Sequence, residues 1–188
     1  MNKPLCTIGI PFRNSAQTLA KAIASVLLQS YEHWELFLID DGSSDGSYTI
    51  AESFSDPRIS IISDGQHLGL AARLNQIAAI ANGRFIARMD ADDIMHSDRI
   101  ALQVDTMLRS GADISHSAAY LIDAADSVFG IRQARSMRTI YLFNSSPIIH
   151  PTVMTTREWS KKHPYDESYT RSQDRELWMR TISNSYFT

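Results

Sequence analysis

Trp34-Glu35-Leu36-Phe37-Leu38-Ile39-Asp40-Asp41-Gly42 is a nearly unbroken apolar run that stops on two carboxylates and a glycine. A strand with one wet face alternates apolar and polar residues, whereas a strand covered on both faces reads as a continuous run, as in a parallel sheet. Asp-Asp-Gly then supplies turn chemistry. The same design recurs to either side. Leu5–Pro11, with Ile8 and Ile10, reads as a first buried strand. Arg84–Met89 reads as a later one, and it ends on Asp90-Ala91-Asp92-Asp93.

Helical spacing fills the gaps. Ser15 can cap a helix carrying Leu19, Ile23, Val26 and Leu27. Ser47–Phe54 reads as a second helix, Ile59–Ile62 as a third short strand, and Leu70–Ala81 as an alanine-rich helix ended by Gly83. Ser97 and Asp98 can cap a helix from Arg99 to about Arg109, and Asp113–Ile122 reads as strand-like. Beyond about residue 125 the pattern weakens, with Arg132, Arg135 and Arg138 in a polar segment of no clear period, until a last helical stretch, Asp174–Ile182. The alternation predicts an α/β fold with a mostly parallel central sheet. The chain stops at Thr188 soon after that helix, an abrupt end expected of a single domain, 1–188, truncated at its C-terminus.

A chain of 188 residues can bury a real core. Its net charge of −3 and scattered Lys and Arg give no footing for nucleic acid. The lone cysteine, Cys6, lies in an apolar run and reads as a buried structural thiol. The amino terminus has no secretory pattern, since Pro4 breaks it early and the apolar run leads into Arg13 and Asn14. No window approaches the roughly 18 apolar residues that span a bilayer. These features place the chain among cytoplasmic domains.

Parallel strands bring their carboxyl ends to one side of the sheet, where ligands collect. Three of the predicted strands end there in Pro11-Phe12-Arg13-Asn14, Asp40-Asp41-Gly42-Ser43 and Asp90-Ala91-Asp92-Asp93. The last tip holds three carboxylates within four positions, which repel one another unless a cation or donors compensate. Mg²⁺ typically takes one or two carboxylates together with substrate phosphates, so the first reading is a metal-held diphosphate. The bland alternative is a solvated polar turn. Ser43–Ser47 lacks the lysine and glycine spacing of a phosphate-cradling loop, and no glycine-rich dinucleotide fingerprint follows the first strand. Nucleoside triphosphatase and NAD-dependent dehydrogenase readings are therefore set aside.

In order along the chain, Ile8-Gly9-Ile10-Pro11-Phe12-Arg13-Asn14, Ser25–Tyr31, Trp34–Ser47, Gly69-Leu70-Ala71-Ala72-Arg73-Leu74-Asn75, Asp90–Asp93, His150-Pro151-Thr152-Val153-Met154 and Gln173-Asp174-Arg175-Glu176-Leu177-Trp178 together resemble the family 2 glycosyltransferases. The resemblance implies the GT-A fold, a Rossmann-like three-layer arrangement, with residues 1–95 as a nucleotide-binding half and 96–188 as an acceptor-side half. It implies an inverting enzyme that moves a sugar from a nucleotide-diphosphate sugar, UDP-linked by expectation, to a glycan or lipid-linked acceptor in cell-surface polysaccharide synthesis. Mn²⁺ or Mg²⁺ would assist, and a lipid-linked acceptor would bring the chain to the inner face of the membrane. The alternative is a nucleotide- or sugar-binding module of the same fold without turnover.

Residue by residue, Asp41 resembles the aspartate that accepts the uracil N–H, and Asp40 is the more structural of the pair. Pro11 and Arg13 stand where the family approaches the base; an aromatic is frequent at the position of Arg13, and a guanidinium can stack there instead. Arg73 resembles an arginine that holds the base or diphosphate. Asp90 resembles a ribose or metal contact and Asp92 the principal ligand of the DXD motif, with Asp93 open between sharing that role and capping a turn. His150 is a further candidate metal ligand. Asp174 resembles the catalytic base, although Gln173-Asp174 replaces the more frequent Glu-Asp, and a helix cap is its alternative. His67, His96 and His116 are expected to be ordinary surface or loop residues, and Leu177 and Trp178 to pack their helix against the sheet.

Overall fold

The computed structural model describes residues 3–134 and 148–188, so Arg135 and Arg138 lie outside the described residues. Strands β1 (Cys6–Phe12), β2 (Trp34–Asp40), β3 (Ile59–Ser63) and β4 (Phe85–Arg88) alternate with helices α1 (Leu19–Leu27), α2 (Ser47–Glu52) and α3 (Leu70–Ile80). Then follow α4 (Arg99–Ser110), β5 (Ile114–Ser115), the hairpin β6 (Ala119–Ile122) and β7 (Val128–Arg132), β8 (Met154–Thr156), α5 (Arg157–Lys162) and α6 (Gln173–Thr181).

One sheet runs in the order β3-β2-β1-β4-β8-β5. The first four strands in that order are mutually parallel, and β8 runs antiparallel to both neighbours. This is the expected, mostly parallel α/β sheet. Both faces are covered, which is why the strands read as apolar runs. On one face Ile8, Ile10 and Phe85 pack with Leu19 and Ile23 of α1 and Ile100 and Val104 of α4. On the other, Ile39 and Ile86 pack with Leu74 and Ile77 of α3. Cys6 is fully buried, and burial pushes its thiol up to about 12, the inert thiol expected. Gly83 is a close-approach glycine: a Cβ there would come within 2.5 Å of the Thr7 backbone nitrogen on β1. Leu177 and Trp178, both fully buried, pack against Ile114, Ile148 and Val153 beneath α6, as expected.

Two local expectations are corrected. Ser15 does not cap α1; its Oγ donates to the Arg13 carbonyl, its own carbonyl accepts from Thr18 and Leu19 in a turn, and the helix starts four residues later. The stretch Asp113–Ile122 is two strands in two sheets, β5 in the main sheet and β6 in the hairpin. No helix among the described residues is long and apolar enough to cross a membrane.

Candidate active site

The chain turns to opposite sides of the sheet from β1, toward β2 on one side and β4 on the other, which opens the crevice where such sheets bind ligands. The loops after β1, β2 and β3 are laced together there. Asn14, at φ 50, accepts the Ser44 N–H at 2.8 Å, and the Ala16 N–H donates to Asp45 Oδ2 at 3.1 Å. Gly42, at φ +73, brings the β2 turn so close to the loop after β3 that a Cβ would lie 3.1 Å from the Gln66 carbonyl.

Asp40 is structural, as expected: its carboxylate accepts from the Ser43 N–H and Ser63 Oγ, both at 2.9 Å. Asp41, 6% exposed, is the hub of the crevice. It accepts from the Leu68 N–H at 2.8 Å, the Gly69 N–H at 3.1 Å and Arg73 Nε at 2.8 Å, and lies 2.7 Å from His67 Nδ1. Burial alone would raise its carboxyl, but these donors outweigh it, led by Arg73, and hold it below the ordinary carboxylate value. Arg73 is fully buried. Besides Asp41 it donates to both oxygens of Asp64, to Gln76 Oε1 and to the Gln66 carbonyl. All five of its N–H groups are thereby occupied by protein acceptors, so Arg73 holds the crevice wall together. His67, expected to be an ordinary loop residue, is instead the half-exposed partner of Asp41.

Removal of the Asp41 carboxylate leaves two backbone N–H groups and a buried guanidinium short of a partner. Asp41→Ala is expected to lose about 2–4 kcal/mol, the Asp64 pair sparing the rest. The check is a fall in Tm of roughly 5–15 °C by calorimetry. The sign with pH follows from the depressed carboxyl: its contribution is present above the ordinary carboxylate value and is lost as pH falls through the folded one. Asp41→Asn should therefore flatten the parent's loss of stability in acid.

Pro11 is buried at the end of β1 and Arg13 is exposed just beyond it. At the tip of β4, Asp92 is exposed and Asp90 and Asp93 are half-buried. Burial pushes the Asp90 carboxyl up, Arg88 opposes, and the Asp92 charge adds to the rise. Arg88 Nη2 lies 2.5 Å from Asp90 Oδ1. Burial and then the charges of Asp90 and Asp92 push Asp93 up to about 6. Carboxylates crowded in this way are relieved by a cation. Among the described residues no three His, Cys, Asp or Glu side chains are arranged to hold an ion by themselves, so His150 does not join the carboxylates in a closed set. The donor set fits a hard ion that draws its remaining oxygens from a diphosphate.

A cavity of about 800 Å³ opens beside this tip, within the range of small-molecule sites, and Asp93, His150 and Asp174 all line it. The hairpin and the segment His150–Thr152 form other walls. Asp174 is the second residue of α6, and the N-cap position is held by Ser172, which makes no side-chain capping bond. His150 Nε2 lies 2.7 Å from the Tyr165 hydroxyl, and burial, with help from Arg88, keeps the imidazole neutral at neutral pH. Tyr165 and Arg88 were not singled out in the sequence. Arg88 had a signal: a charge inside a run that reads as buried needs partners. Tyr165 had none.

The sequence model of Glycosyl transferase family 2 matches residues 7–177. One relative, the Escherichia coli protein named UDP-Glc:alpha-D-GlcNAc-diphosphoundecaprenol beta-1,3-glucosyltransferase WfgD, is 28% identical over 98% of this chain and 72% of its own length. Staphylococcus aureus TarS 1–349, solved with UDP, superposes with a TM-score of 0.79 at 18% identity, covering 97% of this chain and 56% of that one. A mannosyltransferase from Pyrobaculum calidifontis, PcManGT, solved with GDP-Man and Mn²⁺, superposes with a TM-score of 0.75 over all of this chain and 55% of that one. The chain thus spans just over half the length of these two solved structures, and both likenesses speak to the fold.

Proposed function

The chain belongs to glycosyl transferase family 2, and from that membership, which makes it a glycosyltransferase, we propose an inverting catalytic domain that moves a sugar from a UDP-sugar to a glycan or lipid-linked acceptor in cell-surface polysaccharide synthesis. The observation that carries this reading is the shared cavity. Asp174, on the last long helix, faces the same space as Asp93 at the acidic tip of β4, although the two are far apart in sequence.

Residues 1–95 bind the nucleotide and 96–188 form the acceptor side. The base enters beside Pro11 and Arg13 and reaches Asp41 from the side of His67, the one side-chain partner of Asp41 that is half in solvent. Arg73 keeps Asp41 in place from behind. Asp92 would hold the divalent ion, Mn²⁺ or Mg²⁺, which when bound supplies positive charge for the departing diphosphate, and Asp90 beside it contacts the ribose. Asp174 accepts the proton of the acceptor hydroxyl as that oxygen attacks the anomeric carbon from the face opposite the leaving group. A lipid-linked acceptor, like the one in the name of the Escherichia coli relative, would bring the domain to the inner face of the membrane.

The donor class is tested by thermal shift with UDP-, GDP-, CMP- and TDP-sugars, each with and without Mn²⁺. A UDP-sugar near 100 times its Kd should raise Tm by roughly 5–10 °C in Mn²⁺, more than any other nucleotide. Equal or larger shifts from GDP- or CMP-sugars would contradict the UDP assignment.

A further inference from the structure

The motif Gly69–Asn75 contributes Arg73 to the nucleotide crevice, but its last residue plays no part there. Asn75 lies on α3 and its side-chain amide grips the backbone of a residue ninety positions later. The Tyr165 N–H donates to Asn75 Oδ1 at 2.8 Å, and Asn75 Nδ2 donates to the Tyr165 carbonyl and to Glu167 Oε1, both at 2.9 Å. Paired bonds to both polar groups of one residue fix its position against the helix. The Tyr165 hydroxyl then meets His150 Nε2 at 2.7 Å. The His150 ring in turn lies edge-on to Trp178, with centroids 6.1 Å apart at 85°. Trp178 is fully buried on α6 and stands one turn after Asp174, on the same side of the helix. A chain of contacts therefore runs from α3, through Tyr165 and His150, to the helix that carries Asp174.

Other side chains surround the chain of contacts. Arg88, 6% exposed, lines a small cavity together with Asn75 and Tyr165, and its Nε and Nη1 have no hydrogen-bond partner among the described residues. The charges of Arg88, Asp174 and Asp90 all act on the Tyr165 phenol, which burial pushes well above its ordinary value, so it stays protonated and keeps its hydrogen bond at any working pH.

We propose that Asn75, Tyr165 and His150 form a strut that sets α6, and with it Asp174, against the donor crevice, which makes Asn75 and Tyr165 positioning residues for the transfer step although neither touches substrate. The inference rests on the reading of Asp174 as the base. Its physical need is clear: a base displaced by about 1 Å can lose on the order of 10² in rate. Because α3 also carries Arg73, bonded to Asp41, one helix braces both the nucleobase end and the proton-accepting end of the site.

The test compares Asn75→Ala, Tyr165→Phe and their combination with Asp174→Asn, using UDP-glucose and UDP-GlcNAc in Mn²⁺, with released UDP as the rate and calorimetry for UDP affinity. Tyr165→Phe keeps the Asn75 grip and the ring and removes only the hydroxyl. It is expected to lower kcat about tenfold with donor KM and UDP Kd within about twofold of the parent. The double variant should lose much less than the product of the single losses, because both act through one strut. Hydrogen exchange gives a readout independent of turnover: the amides of α6 should exchange at least about tenfold faster in either single variant, while those of β1 and β2 stay protected. Unchanged protection of α6 in both variants would overturn the strut. So would parent-like kcat in both while Asp174→Asn is crippled, an outcome that leaves the base reading intact. Parent-like kcat in Asp174→Asn would remove the base and the strut together.

Discussion

Asp174→Asn is expected to cut sugar transfer at least about 10²-fold while UDP affinity and Tm stay close to the parent's. Inverting transfer needs a proton acceptor on the acceptor side of the sugar, across from the diphosphate. Asp174 meets that need by position: it lines the large cavity as the second residue of α6. Asparagine keeps the size and polarity of the side chain but cannot accept the proton. Ser172 holds the N-cap position of α6, so the substitution replaces no N-cap residue, and the melting curve separates a loosened helix from a lost base. The check is steady-state transfer beside UDP calorimetry and a melting curve. A variant that transfers at the parent rate would send the proton elsewhere.

Asp92→Asn should lower transfer by about 10²–10³-fold and should also abolish the gain in UDP affinity that Mn²⁺ gives the parent. Asp92 is the exposed member of the cluster, free of the Arg88 tether that holds Asp90. Its carboxylate also helps push Asp93 upward, so a cation at this tip relieves a repulsion already built into the fold. Asp90→Asn should weaken UDP binding by only about 1–3 kcal/mol, the scale of one charged hydrogen bond. Calorimetry of UDP with and without Mn²⁺ separates the two. An equal Mn²⁺ enhancement in the parent and Asp92→Asn would remove Asp92 from the metal role.

The central sheet was legible because its strands are buried on both faces. Trp34–Asp40 could hardly be anything but a covered strand, and it pairs along its whole length with β1. The acidic tip of β4 and the placement of Asp174 at the start of a helix were legible too, since like charges in sequence and a distant cap-type aspartate are local features. What was not legible depends on contacts between distant segments. Arg73 reads as a ligand arginine from its motif, yet its guanidinium is enclosed by Asp41, Asp64 and Gln76, and only the folded loop reveals that. His67 shows no ligand spacing with any other histidine, and its role comes from Asp41, twenty-six residues away. Strand β7, and with it the pairing that makes a hairpin of β6, was missed because its residues, exposed at Phe129 and Ile131, lack the alternation that marks a half-buried strand. Tyr165 sits outside any regular element, and nothing local announces its link to Asn75.

Turnover of a nucleotide sugar, and not binding alone, is what distinguishes an enzyme from a module of the same fold. The most direct test incubates the protein, carrying its natural carboxyl terminus, with a panel of UDP-, GDP-, CMP- and TDP-sugars in Mn²⁺ and follows free nucleotide over time. Steady UDP release is expected from at least one UDP-sugar, stopped by EDTA and sharply slowed in Asp174→Asn. Saturable binding of a nucleotide sugar with no release from any donor would contradict it and leave a binding module in place of an enzyme.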